Sequence, residues 1–197
     1  MFVLVALRDT LKVLPHEFRK TREHALKDAI NEKYANRVLH DVGLCILVHD
    51  LVDIDEGFVQ HSDGWIWTKV RFRMIVFRPF REEVLTGHVR SAGPEGIEVS
   101  MGFFDDIKIP ASEMPSGSEY SSEEGLWLWR FDGASLYMDL GDPIRFRVKE
   151  TRFLDVSPPR PQIGDVDNMP AAHAPPFSLI CSIAEDGLGM CVWWDDE

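Results

Sequence analysis

GHVRSAGPEGIEVSMGFFDDIKIP, residues 87–110, carries the clearest structural pattern in this chain. Gly87–Arg90 predicts a first short strand, and Ala92–Gly96 predicts a turn because Gly and Pro punctuate the backbone there. Ile97–Ser100 alternates apolar and polar residues, as a strand does, and Phe103–Ile109 predicts a third strand. A glycine-bent strand, a glycine turn and a closing Ile-Pro are typical of a small OB-type barrel. Such barrels commonly bind single-stranded nucleic acid or other polypeptides.

The composition fits a soluble globular protein of one or two small domains, with 197 residues of which 45% are hydrophobic and 27% charged. No run of about 18 apolar residues occurs, so we expect no membrane partner. The apolar start Phe2–Leu7 has no basic leader, which favours a strand over a signal peptide. Cys45, Cys181 and Cys191 lack metal-ligand spacing and predict reduced, buried thiols of an intracellular protein.

The acidic charge is concentrated in the second half of the chain. Residues 1–80 carry 12 Lys and Arg against 11 Asp and Glu, whereas residues 81–197 carry 9 against 22. An acidic surface repels phosphate, so any RNA binding there requires a local basic strip.

Residues 1–80 predict a sheet wrapped on one helix. Apolar residues at helical spacing predict that helix over Pro15–Asn36, with the proline in its first turn. Residues 42–48, continuing towards Ile54, predict a buried strand, and Asp63-Gly64 predicts a turn. In Trp67–Phe77, alternate positions are apolar and those between them largely basic, which predicts a strand with one buried face.

Residues 81–197 predict an all-β barrel domain, so the fold class is α+β: an N-terminal antiparallel sheet on one helix, then a C-terminal OB-fold barrel. Pro79 marks the change between the domains, because proline removes a ladder donor. Further strands are predicted from the patterns at 126–129, 144–148, 177–183 and 189–194. Residues 111–125 predict a flexible polar loop, and the proline-rich residues 157–176 predict a flexible insertion.

No catalytic constellation is evident in the sequence. Asp105-Asp106 is a pair of carboxylates, but no third carboxylate or His accompanies it, and such a pair is typical of a solvated turn. The seven histidines form no ligand set with the cysteines, and no Gly-x-Ser-x-Gly motif is present. We therefore expect no enzyme activity, no metal and no cofactor.

Several segments together resemble one family, the stalk subunits of multisubunit RNA polymerases, which has eukaryotic and archaeal members. FFDDIKIP, LYMD and the terminal Trp-Trp favour the RNA polymerase III version over its polymerase II and archaeal relatives. The resemblance covers the chain except the two loops, and the segments that carry it are MFVL at 1–4, VGLCI at 42–46, DG at 63–64, VFRPFREEVLTG at 76–87, EGIEVSMGFFDDIKIP at 95–110, LYMDLGDPIRFRV at 136–148 and GLGMCVWW at 187–194.

The resemblance implies a non-catalytic nuclear subunit. It would form a heterodimer with a smaller helical subunit and project from the polymerase core beside the RNA exit path. It would act in transcription initiation, meeting initiation factors and contacting nascent RNA. The resemblance also implies that a tip loop within residues 53–64 docks on the core, and its candidate residues are Asp55, Glu56, Gly57, Phe58, Asp63 and Gly64. On the residues alone, the segment favours an ordinary hairpin loop, because Asp-Gly turns are commonplace.

The barrel holds a candidate RNA strip, because cations follow phosphates and aromatic faces stack bases. Its members are Phe103, Phe104, Lys108, Arg145 and Arg147. The alternative is that the aromatics are core and the cations a solvated strand face.

Glu95 and Glu98 stand where RNA-binding barrels of this type usually place aromatics, which weakens the case for RNA.

The candidate partner interface is Trp193 and Trp194, since aromatics anchor interface centres. Two other functions stay open: a free-standing OB-fold factor for single-stranded RNA, and a metal-dependent hydrolase using Asp105 and Asp106.

Overall fold

The computed structural model describes residues 1–59, 64–131, 133–154 and 175–194. It divides the chain into two compact units, Met1–Arg78 and Pro79–Glu197. Predicted turn residue Asp63 and most of the predicted insertion 157–176 lie outside the described residues.

The first unit is an antiparallel sheet with one helix packed on it. Its strands are ordered β1-β5-β3-β2, and β4 also pairs with β5. The bounds are β1 Phe2–Val13, α1 Arg22–Tyr34, β2 Arg37–Leu39, β3 Gly43–Ile54, β4 Phe58–Val59 and β5 Ile66–Phe77. The predicted alternation in β5 is confirmed, because Val70, Phe72, Met74 and Val76 are buried in the core under α1.

The predicted continuous helix Pro15–Asn36 is wrong, because the chain forms two separate helical pieces. A 3-10 helix spans Pro15–Arg19, Lys20 is extended, and α1 starts after the N-cap residue Thr21. The Thr21 hydroxyl accepts a hydrogen bond from the backbone N–H of His24, at 3.4 Å, which satisfies a donor that the first helical turn leaves unpaired.

The second unit is a barrel with a small sheet inserted in it. Strands β6, β7, β8, β13 and β12 close on themselves, with a parallel pair between β8 and β13. The bounds are β6 Val84–Gly93, β7 Gly96–Ser100, β8 Ile107–Pro110, β9 Ser118–Ser121, β10 Leu126–Phe131, β11 Ala134–Met138, β12 Pro143–Phe153, β13 Phe177–Ser182 and β14 Gly189–Met190. Short 3-10 helices span Ala111–Glu113 and Cys191–Trp193.

Three strand predictions in this unit need correction. The strand predicted over 189–194 covers only Gly189–Met190, because a 3-10 helix follows over Cys191–Trp193. The third predicted strand starts at Ile107 and not at Phe103. Gly102 turns the chain before it, with φ at +83°. The Ser100 hydroxyl donates a hydrogen bond to the Asp105 carboxylate across this bend, at 2.5 Å. Residues 111–125, predicted as a loop, contain β9, which pairs with β10. Among the described residues, no helix is both long and apolar enough to span a membrane.

Candidate docking and nucleic-acid surfaces

The predicted tip segment places two apolar side chains in solvent. After β3 ends, Asp55–Gly57 leads into β4, where Phe58 lies opposite Trp67 and Val59 opposite Ile66. The side chains of Phe58 and Val59 are 59% and 56% exposed. Exposed apolar side chains grouped at one end of a sheet are a feature of docking surfaces.

Backbone contacts hold this segment in place. The N–H of Asp55 donates to the carbonyl of Lys69 at 3.0 Å, and the Arg22 guanidinium donates to the carbonyl of Asp55 at 2.5 Å. A Cβ on Gly57 would lie 2.6 Å from the side chain of Ile66, closer than non-bonded carbons approach. The structure therefore places Asp55, Glu56, Gly57 and Phe58 on one segment held by these contacts, and Gly64 lies two residues before the returning strand β5.

Sequence reasoning missed two aromatics beside this segment. The rings of Trp65 and Trp67 lie 6.5 Å apart, and the ammonium of Lys12 sits 4.4 Å above the Trp65 ring, within cation–π range. The sequence signal was the alternation Trp65-Ile66-Trp67, because side chains two positions apart on an extended chain lie on the same side.

The predicted RNA strip does not form one continuous surface. Lys108 lies on β8, whereas Arg145 and Arg147 lie on β12, and β13 runs between these two strands. Lys108 also has a carboxylate neighbour, since its ammonium is 3.6 Å from Glu98 on β7. The Arg145 guanidinium donates to the carbonyl of Gly187 at 3.4 Å.

Arg147 belongs to a four-membered ion network on the outside of the barrel. Its guanidinium lies 2.9 Å from Glu185 and 3.6 Å from Glu82. Lys149 contacts the same two carboxylates, at 3.3 Å and 3.7 Å. The two cations thus share two anions, so the network has no net charge and leaves little positive potential for phosphate.

The two candidate stacking residues differ in environment. Phe104 is only 5% exposed, and its ring lies 5.2 Å from that of Phe177 in the barrel core, so it has no free face for a base. Phe103 is exposed, and a stacking role stays a prediction for that residue alone.

Glu95 and Glu98 border a groove of about 470 Å³ beside the β6–β7 turn. Glu98 accepts a hydrogen bond from the Ser91 hydroxyl at 2.9 Å, in addition to its contact with Lys108. Carboxylates at the edge of a groove disfavour a phosphate backbone, as the sequence indicated.

The candidate partner residue Trp193 is part of an aromatic cluster. Its ring packs 5.2 Å from that of Trp129, which in turn lies 4.8 Å from the exposed Phe131. Trp194 is also exposed, although its indole N–H donates to the carbonyl of Leu188 at 2.9 Å. In this cluster, packed aromatic rings lie beside exposed ones. Aromatic residues that anchor protein interfaces have the same arrangement.

Asp105 and Asp106 do not gather further metal ligands. Asp105 lies 3.5 Å from Arg90, and burial together with neighbouring Asp105 raises the pKa of Asp106. Within the described ranges, no group of three or more His, Cys, Asp and Glu side chains is placed to hold a metal ion.

Two family models match the chain, one on each unit. Residues 8–64 match the SHS2 domain found in the N terminus of Rpb7p, Rpc25p and MJ0397, and residues 83–194 match RNA polymerase III subunit Rpc25. The chain belongs to the RNA polymerase III subunit Rpc25 family. Membership confirms the family resemblance drawn from the sequence, and the two matched domains confirm the α+β fold class.

Relatives of this family match the chain from end to end. DNA-directed RNA polymerase III subunit RPC8 of Bos taurus is 39% identical over 98% of this chain and 98% of its own length. The Schizosaccharomyces pombe subunit rpc8 is 37% identical over 98% of this chain and all of its own length. The archaeal subunit Rpo7 of Saccharolobus solfataricus is 25% identical over 75% of this chain and 81% of its own.

Proposed function

We propose that this chain is the non-catalytic stalk subunit of a nuclear DNA-directed RNA polymerase III. The observation that carries the proposal is the end-to-end similarity to subunits with that name, at 39% identity over 98% of both chains. A free-standing RNA-binding factor would require only the barrel. Here the first unit matches the family as well, through residues 8–64.

In this role the chain pairs with a smaller helical subunit, docks on the polymerase core and meets initiation factors. The exposed Phe58 and Val59, held by a stiff segment, support docking through the tip. The aromatic cluster around Trp193 and the exposed Trp194 support a polypeptide interface on the barrel unit.

The proposal also includes contact with nascent RNA. It is supported by Arg145, whose guanidinium donates to a backbone carbonyl, and by the exposed ring of Phe103. One cation gives a small electrostatic contribution and one ring gives one stacking surface, so we expect modest RNA affinity with a shallow salt dependence.

A tagged pull-down from native extract at moderate salt tests the assignment. We expect large RNA polymerase III subunits and a small helical partner to co-purify, as identified by mass. Recovery of the chain alone, or with ribosomal components and RNA, would favour the free-standing RNA-binding factor.

Variants of the tip test the docking surface. Removal of Gly57–His61, or the double substitution Phe58→Ser with Val59→Ser, should reduce co-purification of the core. The serine pair should change stability by less than about 0.5 kcal/mol per site, because both side chains are exposed. Leu140→Ser, at an exposed leucine of the other unit, is the matched control. Undiminished recovery of the core with the tip variants would refute docking through this segment.

A further inference from the structure

The aromatic cluster of the barrel unit forms a platform of stacked rings, made by Trp129, Phe131 and Trp193. Trp129 and Phe131 are two positions apart on β10, so their side chains lie on the same side of the small sheet. The Trp129 ring lies 4.8 Å from that of Phe131 and 5.2 Å from that of Trp193, at interplanar angles of 35° and 40°. Phe131 is 57% exposed, so the platform is open to solvent at this residue.

Contacts within the barrel unit hold the platform in place. The indole N–H of Trp129 donates to the carbonyl of Ser116 at 3.0 Å. The ring of Trp193 packs over Gly189 so closely that a Cβ at this position would have no room. Because the polar atom of Trp129 is already used, this residue offers a partner the face of its ring and no further hydrogen bond.

The two segments that build the platform are strongly acidic. Residues 111–138 carry five Asp and Glu against one Arg, and residues 183–197 carry five against none. The one arginine of these segments, Arg130, is paired, since its guanidinium lies 2.9 Å from Glu119. The segments therefore place an excess of negative charge around the aromatic rings.

One cation of a neighbouring strand adjoins this region. Arg145 of β12 lies opposite Gly189, and its guanidinium donates to the carbonyl of Gly187 at 3.4 Å. With Arg145 counted, acidic residues still outnumber basic ones by ten to two. The region thus keeps a net negative charge.

We propose that the platform binds a partner polypeptide through an arginine side chain. This inference rests on the proposed function and names the chemistry of the polypeptide interface on its barrel unit. The faces of aromatic rings attract a cation, and a planar guanidinium also stacks on an indole. The acidic segments add a second attraction for the same charged group.

Charge decides between arginine and the other guests that aromatic rings accept. The bases of a single-stranded RNA could stack on these rings, but the phosphates would approach strongly acidic segments. An aliphatic side chain would bury apolar area and leave the negative charge uncompensated. Lysine has the charge, but its compact and strongly hydrated ammonium does not stack as a guanidinium does.

Fluorescence anisotropy with the purified full-length chain tests the inference. The probes are a fluorescein-labelled peptide of alternating glycine and arginine, the same peptide with citrulline at each arginine, and a labelled oligouridine. Citrulline retains the planar head of arginine and lacks its charge. We expect the arginine peptide to bind, and the citrulline peptide to bind more weakly by a factor of about five or more.

Phe131→Leu separates the platform from a general attraction between opposite charges. Leucine keeps an apolar side chain at this exposed site but has no ring, so the affinity for the arginine peptide should fall about fivefold. The melting temperature should not change, because the substitution is on the surface.

Tyr137→Leu is the matched control on the same small sheet. Tyr137 is also exposed, and it lies opposite Leu128, whose side chain is on the other face of the sheet from that of Trp129. This substitution should leave the affinity for the arginine peptide unchanged.

The inference is overturned if the arginine peptide does not bind, if the citrulline peptide binds equally well, or if Phe131→Leu has no larger effect than Tyr137→Leu. Oligouridine binding that is weakened by Phe131→Leu would also overturn it. The assay contains no polymerase, so its failure leaves the stalk assignment to the pull-down. Arginine binding at the platform together with a pull-down that recovers no polymerase would sink the stalk assignment alone.

Discussion

Removal of two carboxylates should create RNA affinity on the barrel. Glu82→Gln with Glu185→Gln frees Arg147 and Lys149, which both contact these two anions at 2.9–3.7 Å. Glutamine retains a hydrogen-bond acceptor of similar shape. The substitution therefore changes charge with little change in packing.

The size of both effects follows from the geometry. The carboxylate side chains are almost half exposed, and each exposed ion pair contributes about 0.2–1 kcal/mol, so the loss of stability should be about 1–2 kcal/mol. Two additional phosphate contacts to a single strand should steepen the slope of log K against log salt by about 1.4. When salt is lowered from about 200 to 50 mM, the RNA affinity of the variant should therefore rise by a factor about seven times larger than that of the wild type.

Fluorescence anisotropy with a labelled single-stranded RNA, titrated at four salt concentrations, measures the slope. Glu123→Gln with Glu124→Gln is the control, because it removes the same charge from the exposed turn before β10. If the Glu82→Gln, Glu185→Gln variant binds RNA no more tightly than the control variant does, the neutralising role of the network is refuted. A wild-type slope that is already steep and falls when Arg147 is replaced would refute it as well.

Two further predictions concern packing and pH. Asp9→Asn should cost about 1–2 kcal/mol at pH 7 by chemical denaturation, because Lys33 and Tyr34 donate to this carboxylate at 2.6 and 2.7 Å. Burial raises the pKa of Asp9, but these hydrogen bonds outweigh burial and lower the pKa overall. The stability lost on Asp9→Asn should therefore shrink as pH falls below about 4, where the wild-type carboxylate becomes protonated. A loss of stability that does not depend on pH would contradict this. Gly189→Ala should cost about 1–3 kcal/mol and alter tryptophan fluorescence, because its Cβ would lie 2.4 Å from the Trp193 ring at a φ of +100°. An unchanged melting temperature and spectrum would count against this packing.

Local pattern in the sequence predicted the elements that have strong periodicity. The apolar alternation of β5 and the Gly-Pro turn between β6 and β7 depend on neighbouring residues, and both appear in the structure. The split of the helix was missed because Lys20-Thr21 does not interrupt the apolar spacing. Thr21 was nevertheless a readable signal, since Thr is a favoured N-cap residue.

Long-range pairing could not be predicted. Glu185 meets Arg147 only because β13 returns beside β12, and the two residues are 38 positions apart in the chain. The burial of Phe104 likewise depends on Phe177, which follows the insertion. A candidate RNA strip chosen by residue type therefore contained one core aromatic and two paired cations, which sequence spacing alone does not distinguish.

Ion pairing limits how far the cations of this chain can serve as phosphate ligands. On the barrel, Lys108 and Arg147 each lie within 4 Å of a carboxylate, so their charge is largely cancelled where it could meet a phosphate. In the first unit, Arg73 pairs with Asp50, and Asp53 lies directly opposite Arg71 on the neighbouring strand. Carboxylates close to cations thus reduce the positive potential that is available to a phosphate in both units.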